Sequence, residues 1–216
     1  MRQITLILGP TGAGKSEYAV RLALQQNAAV ISVDALQVYK RMNIGTAKLG
    51  LSDRQGVPHY AIDLVEPDYE YSVAEYVRYV ESLLRGELAD RNIIFCGGTG
   101  FYYNALLNGL ALPLAAGDER VRQRLRRQAE ESGSARLWAE LQKVDAPAAA
   151  KIHANDVFRV IRALEVYELT GRKISEQQRK KPSILGDACR LIGLTLPRAE
   201  LYARLDRHTE IGRAHV

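Results

Sequence analysis

Apolar positions recur along this chain in two periods, and the switches between them predict its elements. Residues 3–8 read as a buried strand, and the segment from Gly14 to Gln26 follows as a helix with Ala19, Leu22 and Ala23 on its apolar side. AAVISVD supplies a second strand that runs into Asp34, and NIIFCGG another that ends at a glycine pair. Between these two, YSVAEYVRYVESLLRGEL has the helical period. Ser72 suits its N-cap, and Glu75 completes a capping box. Strands that alternate with helices predict an α/β fold with a parallel sheet covered on both faces.

Beyond Pro113 the strands stop. DERVRQRLRRQAEES, SARLWAELQKV, APAAAKIH and DVFRVIRALEVYELTG are all helical in pattern, which predicts an all-helical insertion over 115–184 between a core of 1–114 and its return at 185–210. ACRLIGLTL is the returning strand, and Pro197 opens a last helix. No internal repeat or low-complexity tract interrupts this order.

Residues 211–216 stand apart. EIGRAHV has no periodicity, and one back-translation, GAG ATC GGA AGA GCA CAC GTC, matches a widely used short-read sequencing adapter from its second base. The expectation is that Ile211 to Val216 is read-through, and that the natural chain continues differently; the alternative is an ordinary divergent tail.

Composition adds bounds rather than a function. The 216 residues suit one domain, or a core with an insertion, and 47% hydrophobic with 25% charged residues is ordinary for a soluble globular chain. Thirty Lys and Arg against 25 Asp and Glu leave +5, which is compatible with an anionic partner. Cys96 and Cys189 lie far apart in apolar surroundings, which predicts free thiols and a reducing compartment. There is no signal-peptide pattern and no long apolar span, so a cytoplasmic protein is expected. The four histidines lack metal-ligand spacing, and no zinc site is proposed.

The chemistry starts at GPTGAGKS, that is Gly9, Pro10, Thr11, Gly12, Ala13, Gly14, Lys15 and Ser16, between the first strand and the first helix. This is the P-loop pattern in its confirming context. The glycines let successive N–H groups and the helix N-terminus face a di- or triphosphate, Lys15 adds a cation, and Ser16 is placed to reach Mg²⁺. The bland alternative is a glycine-rich turn without function. A P-loop ATPase also has a strand that ends in an acid near the metal, yet the later strand here ends Cys96-Gly97-Gly98-Thr99. The acid available is Asp34. It reads as a phosphate-side acid of a kinase, as a general base for an incoming nucleophile, or as a helix N-cap. In a doubly wound sheet the strand C-termini share one edge, which predicts that Asp34 and Thr99 both face the phosphate site.

GPTGAGKS, SVDALQVYKRMNIGTAK, VPHYAIDLVEP, YSVAEY, CGGTGFYYNALLNGL and NDVFRVIRALEVYELTGRKISE occur in the order and spacing of the tRNA dimethylallyltransferases, and the chain resembles that family from about Ile4 to Thr209. The resemblance implies a P-loop NTPase-like core. It also implies an activity: transfer of the prenyl group of dimethylallyl diphosphate to the exocyclic N6 amine of the adenosine 3′ of the anticodon, in tRNAs that read codons beginning with U. Diphosphate is released, with Mg²⁺ as cofactor and a monomer as the acting form. On that reading the P-loop grips a leaving diphosphate. Lys15, Ser16 and the metal take up charge as the C–O bond breaks. By the same resemblance Asp34 receives the amine proton, and Thr99 binds the leaving group beside the reacting centre. Asp34, Ala35, Leu36 and Gln37 hold the target base, which must leave its stack.

The resemblance also implies that the insertion grips the anticodon arm of the tRNA through Arg122 and through Phe158, Arg159, Val160, Ile161 and Arg162. AAGDERVR is one residue longer than the family's usual spacing before Arg122, and Phe158 stands where a glutamine is usual. Without the family, the arginines at 120, 122, 124, 126 and 127 spread over more than one helix face and read equally as a solvated surface. Tyr102 and Tyr103 could stack on a base or pack a helix start. His59 and Lys48 fall in family segments with no role derivable from sequence. Family members continue past this chain's end, so exposed apolar surface, weak diphosphate binding and poor or no activity are expected of it. The competing readings are a small-molecule kinase with Asp34 as base, and a non-catalytic RNA-binding fragment.

Overall fold

A computed structural model describes residues 2–109, 117–177, 183–186 and 188–214, the side chains of 177, 208 and 211–214 excepted. The chain parts into two compact units, Met1–Gly109 with Pro182–Val216, and Leu110–Lys181.

The first unit is built on β1 (Ile4–Leu8), α1 (Lys15–Gln26), β2 (Ala29–Ser32), β3 (His59–Tyr60), α2 (Val73–Arg85), β4 (Ile93–Cys96) and α3 (Gly100–Asn108). Its five strands pair in parallel in the order β3-β2-β4-β1-β5, with β5 (Cys189–Gly193) and the following α9 (Arg198–Ala214) contributed by the later segment. In the central strands successive side chains go to opposite faces. Leu6, Ile31 and Phe95 pack with α2 and α3, while Ile7, Val30, Ile94 and Cys96 pack with α1. That is why these strands read as continuous apolar runs rather than as alternating ones. Two tyrosines brace the strand ends from one face. Tyr76 Oη donates to the Ser32 carbonyl at 2.8 Å, and Tyr103 Oη to the Ile7 carbonyl at 2.8 Å. Tyr102 and Tyr103 are thus buried, as helix packing requires, and neither presents a free ring to a base.

The capping box at α2 is present: the Ser72 hydroxyl accepts from the Glu75 N–H, and the Glu75 carboxylate accepts from the Ser72 N–H. The sequence did not reveal β3, because two residues carry no period. It forms where His59 pairs with Val30 and Tyr60 with Ile31. The backbone of α9 is helical through Ala214, where the sequence showed no periodicity; residues 215–216 lie outside the described residues. Leu191 on β5 and Tyr202 on α9 are exposed, at 59% and 49%. No described helix is long and apolar enough to cross a membrane.

The second unit comprises α4 (Glu119–Ser132), α5 (Ser134–Val144), α6 (Ala146–Ala149), α7 (Val157–Thr170) and α8 (Ile174–Gln177) around Leu125, Leu137, Leu141, Val160 and Leu164. Aspartates start three of these helices: the side chains of Asp118, Asp145 and Asp156 each accept from an N–H of the first turn. The boundary expected at 114/115 lies outside the described residues. Ile184, assigned from sequence to the insertion, packs with Leu185 in the core of the first unit instead.

Candidate phosphate and acceptor site

The loop after β1 turns into α1 at Gly14, whose φ of 80° is the left-handed conformation that glycine adopts without steric cost. No side chain caps α1, so the first N–H groups of the helix remain available to an anion. Lys15 folds back over the loop, its Nζ donating to the Pro10 carbonyl at 2.9 Å. Burial pulls the Lys15 pKa below its usual 10.5, against the opposing pull of Cys96 and Asp34. The Ser16 hydroxyl lies against the Cys96 thiol, which burial pushes up to about 11 despite Lys15 and that hydrogen bond. Ser16, Ser32, Gln37, His59 and Cys96 line a small cleft of about 20 Å³ beside the loop.

α9 adds a residue that its sequence pattern did not single out. Leu201 and Leu205 approach Gly12 closely enough to meet a Cβ there at 3.4 Å, and the Arg204 guanidinium comes within 3.8 Å of where a Gly14 Cβ would lie. A cation beside the positive end of α1 and Lys15 is unfavourable unless an anion joins them; Glu200 holds Arg204 at 3.0 Å in the meantime.

The tips of β2 and β4 meet over this loop. Val33 N–H donates to Cys96 O at 2.8 Å, and Thr99 N–H donates to Val33 O at 3.0 Å. This crossing needs glycine at 97, since a Cβ would stand 2.1 Å from Val33 O. Thr99 precedes α3 without capping it; its hydroxyl instead accepts from the Ala35 N–H at 2.9 Å. The Asp34 carboxylate faces Gly98, with Oδ2 3.9 Å from where a Cβ there would lie. Its other oxygen accepts from the Leu36 N–H at 2.9 Å, so Asp34 closes a turn rather than capping a helix. Gln37 is held at both ends of its amide, accepting from Ser32 Oγ at 2.8 Å and donating to Thr46 O at 3.1 Å. Leu36 is exposed and Ala35 half-buried beside it.

The structure divides the residues expected to touch RNA. Val160 and Ile161, 1% and 6% exposed, are core residues of the second unit, because their positions on α7 face the packed side. Phe158 is 77% exposed and Arg159 stands beside its helix cap Asp156 at 3.4 Å. Arg122 Nε at 2.8 Å and Arg162 at 2.5 Å both donate to the wholly buried Glu165, which also accepts from Asp118 N–H at 2.8 Å. The arginine pair is thereby fixed in place, and sequence showed neither arginine's partner.

A glycine-rich loop that opens a helix behind the first strand of a parallel sheet, with a lysine and a hydroxyl at its end, defines a P-loop phosphate-binding α/β protein. Comparison narrows this. The profile of the IPP transferase family matches residues 37–211, and that of isopentenyl transferase matches 2–58. The tRNA dimethylallyltransferase of Thermoanaerobacter sp. (strain X514) is 42% identical over 96% of this chain and 67% of its own length. That of Roseiflexus sp. (strain RS-1) is 44% identical over 97% and 68%. Among solved structures, the full-length tRNA isopentenylpyrophosphate transferase of Bacillus halodurans is 36% identical with a TM-score of 0.60, over 97% of this chain and 65% of that one. A eukaryotic dimethylallyltransferase described as acting on tRNA gives 28% and 0.78, over 100% and 55%. The chain belongs to the IPP transferase family, alongside the tRNA dimethylallyltransferases. It spans about two thirds of the length of the bacterial relatives and 55% of the eukaryotic one.

Proposed function

We propose that this chain carries the donor and acceptor sites for dimethylallyl transfer from dimethylallyl diphosphate to the N6 amine of an adenosine 3′ of a tRNA anticodon. What supports the reading is that Asp34 and Thr99 meet at the tips of β2 and β4, with Asp34 near enough to Lys15 to act on its charge, in a chain whose later strand ends without an acid. N6 attacks the carbon bearing the diphosphate, the C–O bond breaks with its electrons leaving on oxygen, and the amine proton passes to the Asp34 carboxylate. Lys15, Arg204 and the N–H groups of the loop bind the diphosphate, a stabilisation that grows as charge develops on the leaving oxygen. Thr99 orients the leaving group, while Asp34, Ala35, Leu36 and Gln37 take the flipped base. Ser16 and the substrate's phosphate oxygens suit the oxygen coordination of Mg²⁺, which would supply charge neutralisation there; among the described residues no cluster of three acids, histidines or cysteines offers another metal site. Phe158, Arg159 and the Arg122–Glu165–Arg162 group form the anticodon-arm contact of the second unit, with the protein acting as a monomer.

Radiolabelled dimethylallyl diphosphate and unmodified tRNA test this directly. Label in the tRNA, even at a poor rate, supports the transfer; ATP turnover without such label supports the kinase reading, and RNA binding with neither reaction supports a non-catalytic fragment.

A further inference from the structure

Lys48 is out of place as a surface lysine. Its side chain is 3% exposed, and its ammonium donates to Tyr39 O at 2.7 Å and to Asp63 Oδ1 at 2.7 Å. The partner is 42% exposed, so the pair desolvates the amine without enclosing its counter-ion. That arrangement is poor value as a stability device. Its geometry gives it another use. Asp63 also donates its N–H to Gln37 O at 3.1 Å, Leu64 and Val65 N–H both donate to Val38 O, and Lys40 N–H donates to Val65 O at 2.8 Å. The segment after Asp34 is thus zipped to residues 63–65, with Lys48 locked across the end of the zip. Ala47, Ala61 and Asp63 all take left-handed φ values, of 49°, 59° and 56°, a conformation that non-glycine residues hold only when their surroundings impose it. The Gln37 side chain ends on Thr46 O, two residues before Lys48.

We infer that the Lys48–Asp63 pair is a positioning device that sets the acceptor loop, residues 34–37, in register with Thr99 without touching donor or base. Its purpose rests on the acceptor role proposed above for that loop; the clamp itself rests on the hydrogen bonds. Neither residue contacts the P-loop in the bonds described, so the two substrates should respond differently.

The test uses the 216-residue chain with Lys48→Met, Asp63→Asn and Lys48→Arg. Amide exchange is followed by mass spectrometry, and dissociation constants are measured for inorganic diphosphate and for an anticodon stem-loop with adenosine 3′ of the anticodon. Lys48→Met is expected to speed exchange across 35–40 and 63–65 and to weaken stem-loop binding by about tenfold, while diphosphate binding stays within about twofold. Lys48→Arg, which keeps a charged donor, is expected to recover most of the loss. Asp63→Asn, which keeps the N–H to Gln37, carries the same test if Lys48→Met does not fold. Unchanged exchange in the loop, or an equal loss of diphosphate binding, would overturn the clamp. If the unsubstituted chain binds diphosphate and no stem-loop, the acceptor reading falls, and the exchange result still decides the clamp.

Discussion

The Thr99 hydroxyl accepts a hydrogen bond from the Ala35 N–H at 2.9 Å across 64 residues of sequence, tying the tip of β4 to the turn that carries Asp34. Thr99→Ser keeps the oxygen and Thr99→Val removes it at nearly constant volume. Thr99→Val is expected to lose about 1 kcal/mol of stability and about 10²-fold in transfer rate, with Thr99→Ser near the unsubstituted chain. Urea unfolding and single-turnover transfer measure the two effects, and equal rates for the two variants would remove Thr99 from the site.

Asp34→Ala should abolish prenyl transfer and leave diphosphate binding intact, because the carboxylate closes its turn through Leu36 and, among the described residues, has no hydrogen bond to the P-loop backbone. Titration calorimetry with diphosphate, alongside labelled transfer, separates the two. Retained transfer would falsify the base assignment.

Burial lowers the Lys15 pKa, whereas a bound diphosphate favours its charged form. Above that lowered value the free site has lost a proton that binding must restore, so affinity is expected to fall as pH rises through it. Lys15→Met should bind about 10- to 100-fold more weakly at pH 7 and lose this slope. Arg204→Ala is expected to cost about tenfold, and a diphosphate affinity untouched by that change would exclude α9 from the phosphate site.

Cys96 is held up to about 11 against an ordinary 9.0, chiefly by burial. The folded state therefore keeps a proton that the unfolded chain sheds, and this contribution to stability is present below pH 9.0 and lost as pH rises towards 11. The stability difference between the unsubstituted chain and Cys96→Ala should shrink over that interval. At pH 8 a thiol reagent should label the half-exposed Cys189 well before Cys96.

Glu165 has no exposed surface and answers two arginines, so Glu165→Gln is expected to cost about 1–3 kcal/mol in the second unit. Trp138, the single tryptophan, donates to Ile152 O at 2.8 Å within that unit and reports its unfolding by fluorescence. Arg159→Ala should leave stability unchanged, weaken RNA binding across sequences and reduce its salt dependence by about one phosphate contact.

Local chemistry was legible in the amino-acid order. The P-loop between β1 and α1, the Ser72–Glu75 capping box and the buried strands all depend on residues within a few positions of one another, where period, turn residues and capping partners act directly. The shared family segments extended this to Asp34 and Thr99 as a pair. What tertiary structure decided is whatever depends on contacts across the chain. The order β3-β2-β4-β1-β5 brings Ala35 to Thr99, α9 swings Arg204 to Gly14, and Lys48 finds Asp63. Helical spacing puts Val157, Val160, Ile161 and Leu164 on one face at i, i+3, i+4 and i+7 with Phe158 off it, but only the packed second unit shows that this face is a core. The partners of Arg122 and Arg162 were hidden for a related reason: a glutamate reads as surface until packing closes over it, and only the folded second unit buries Glu165.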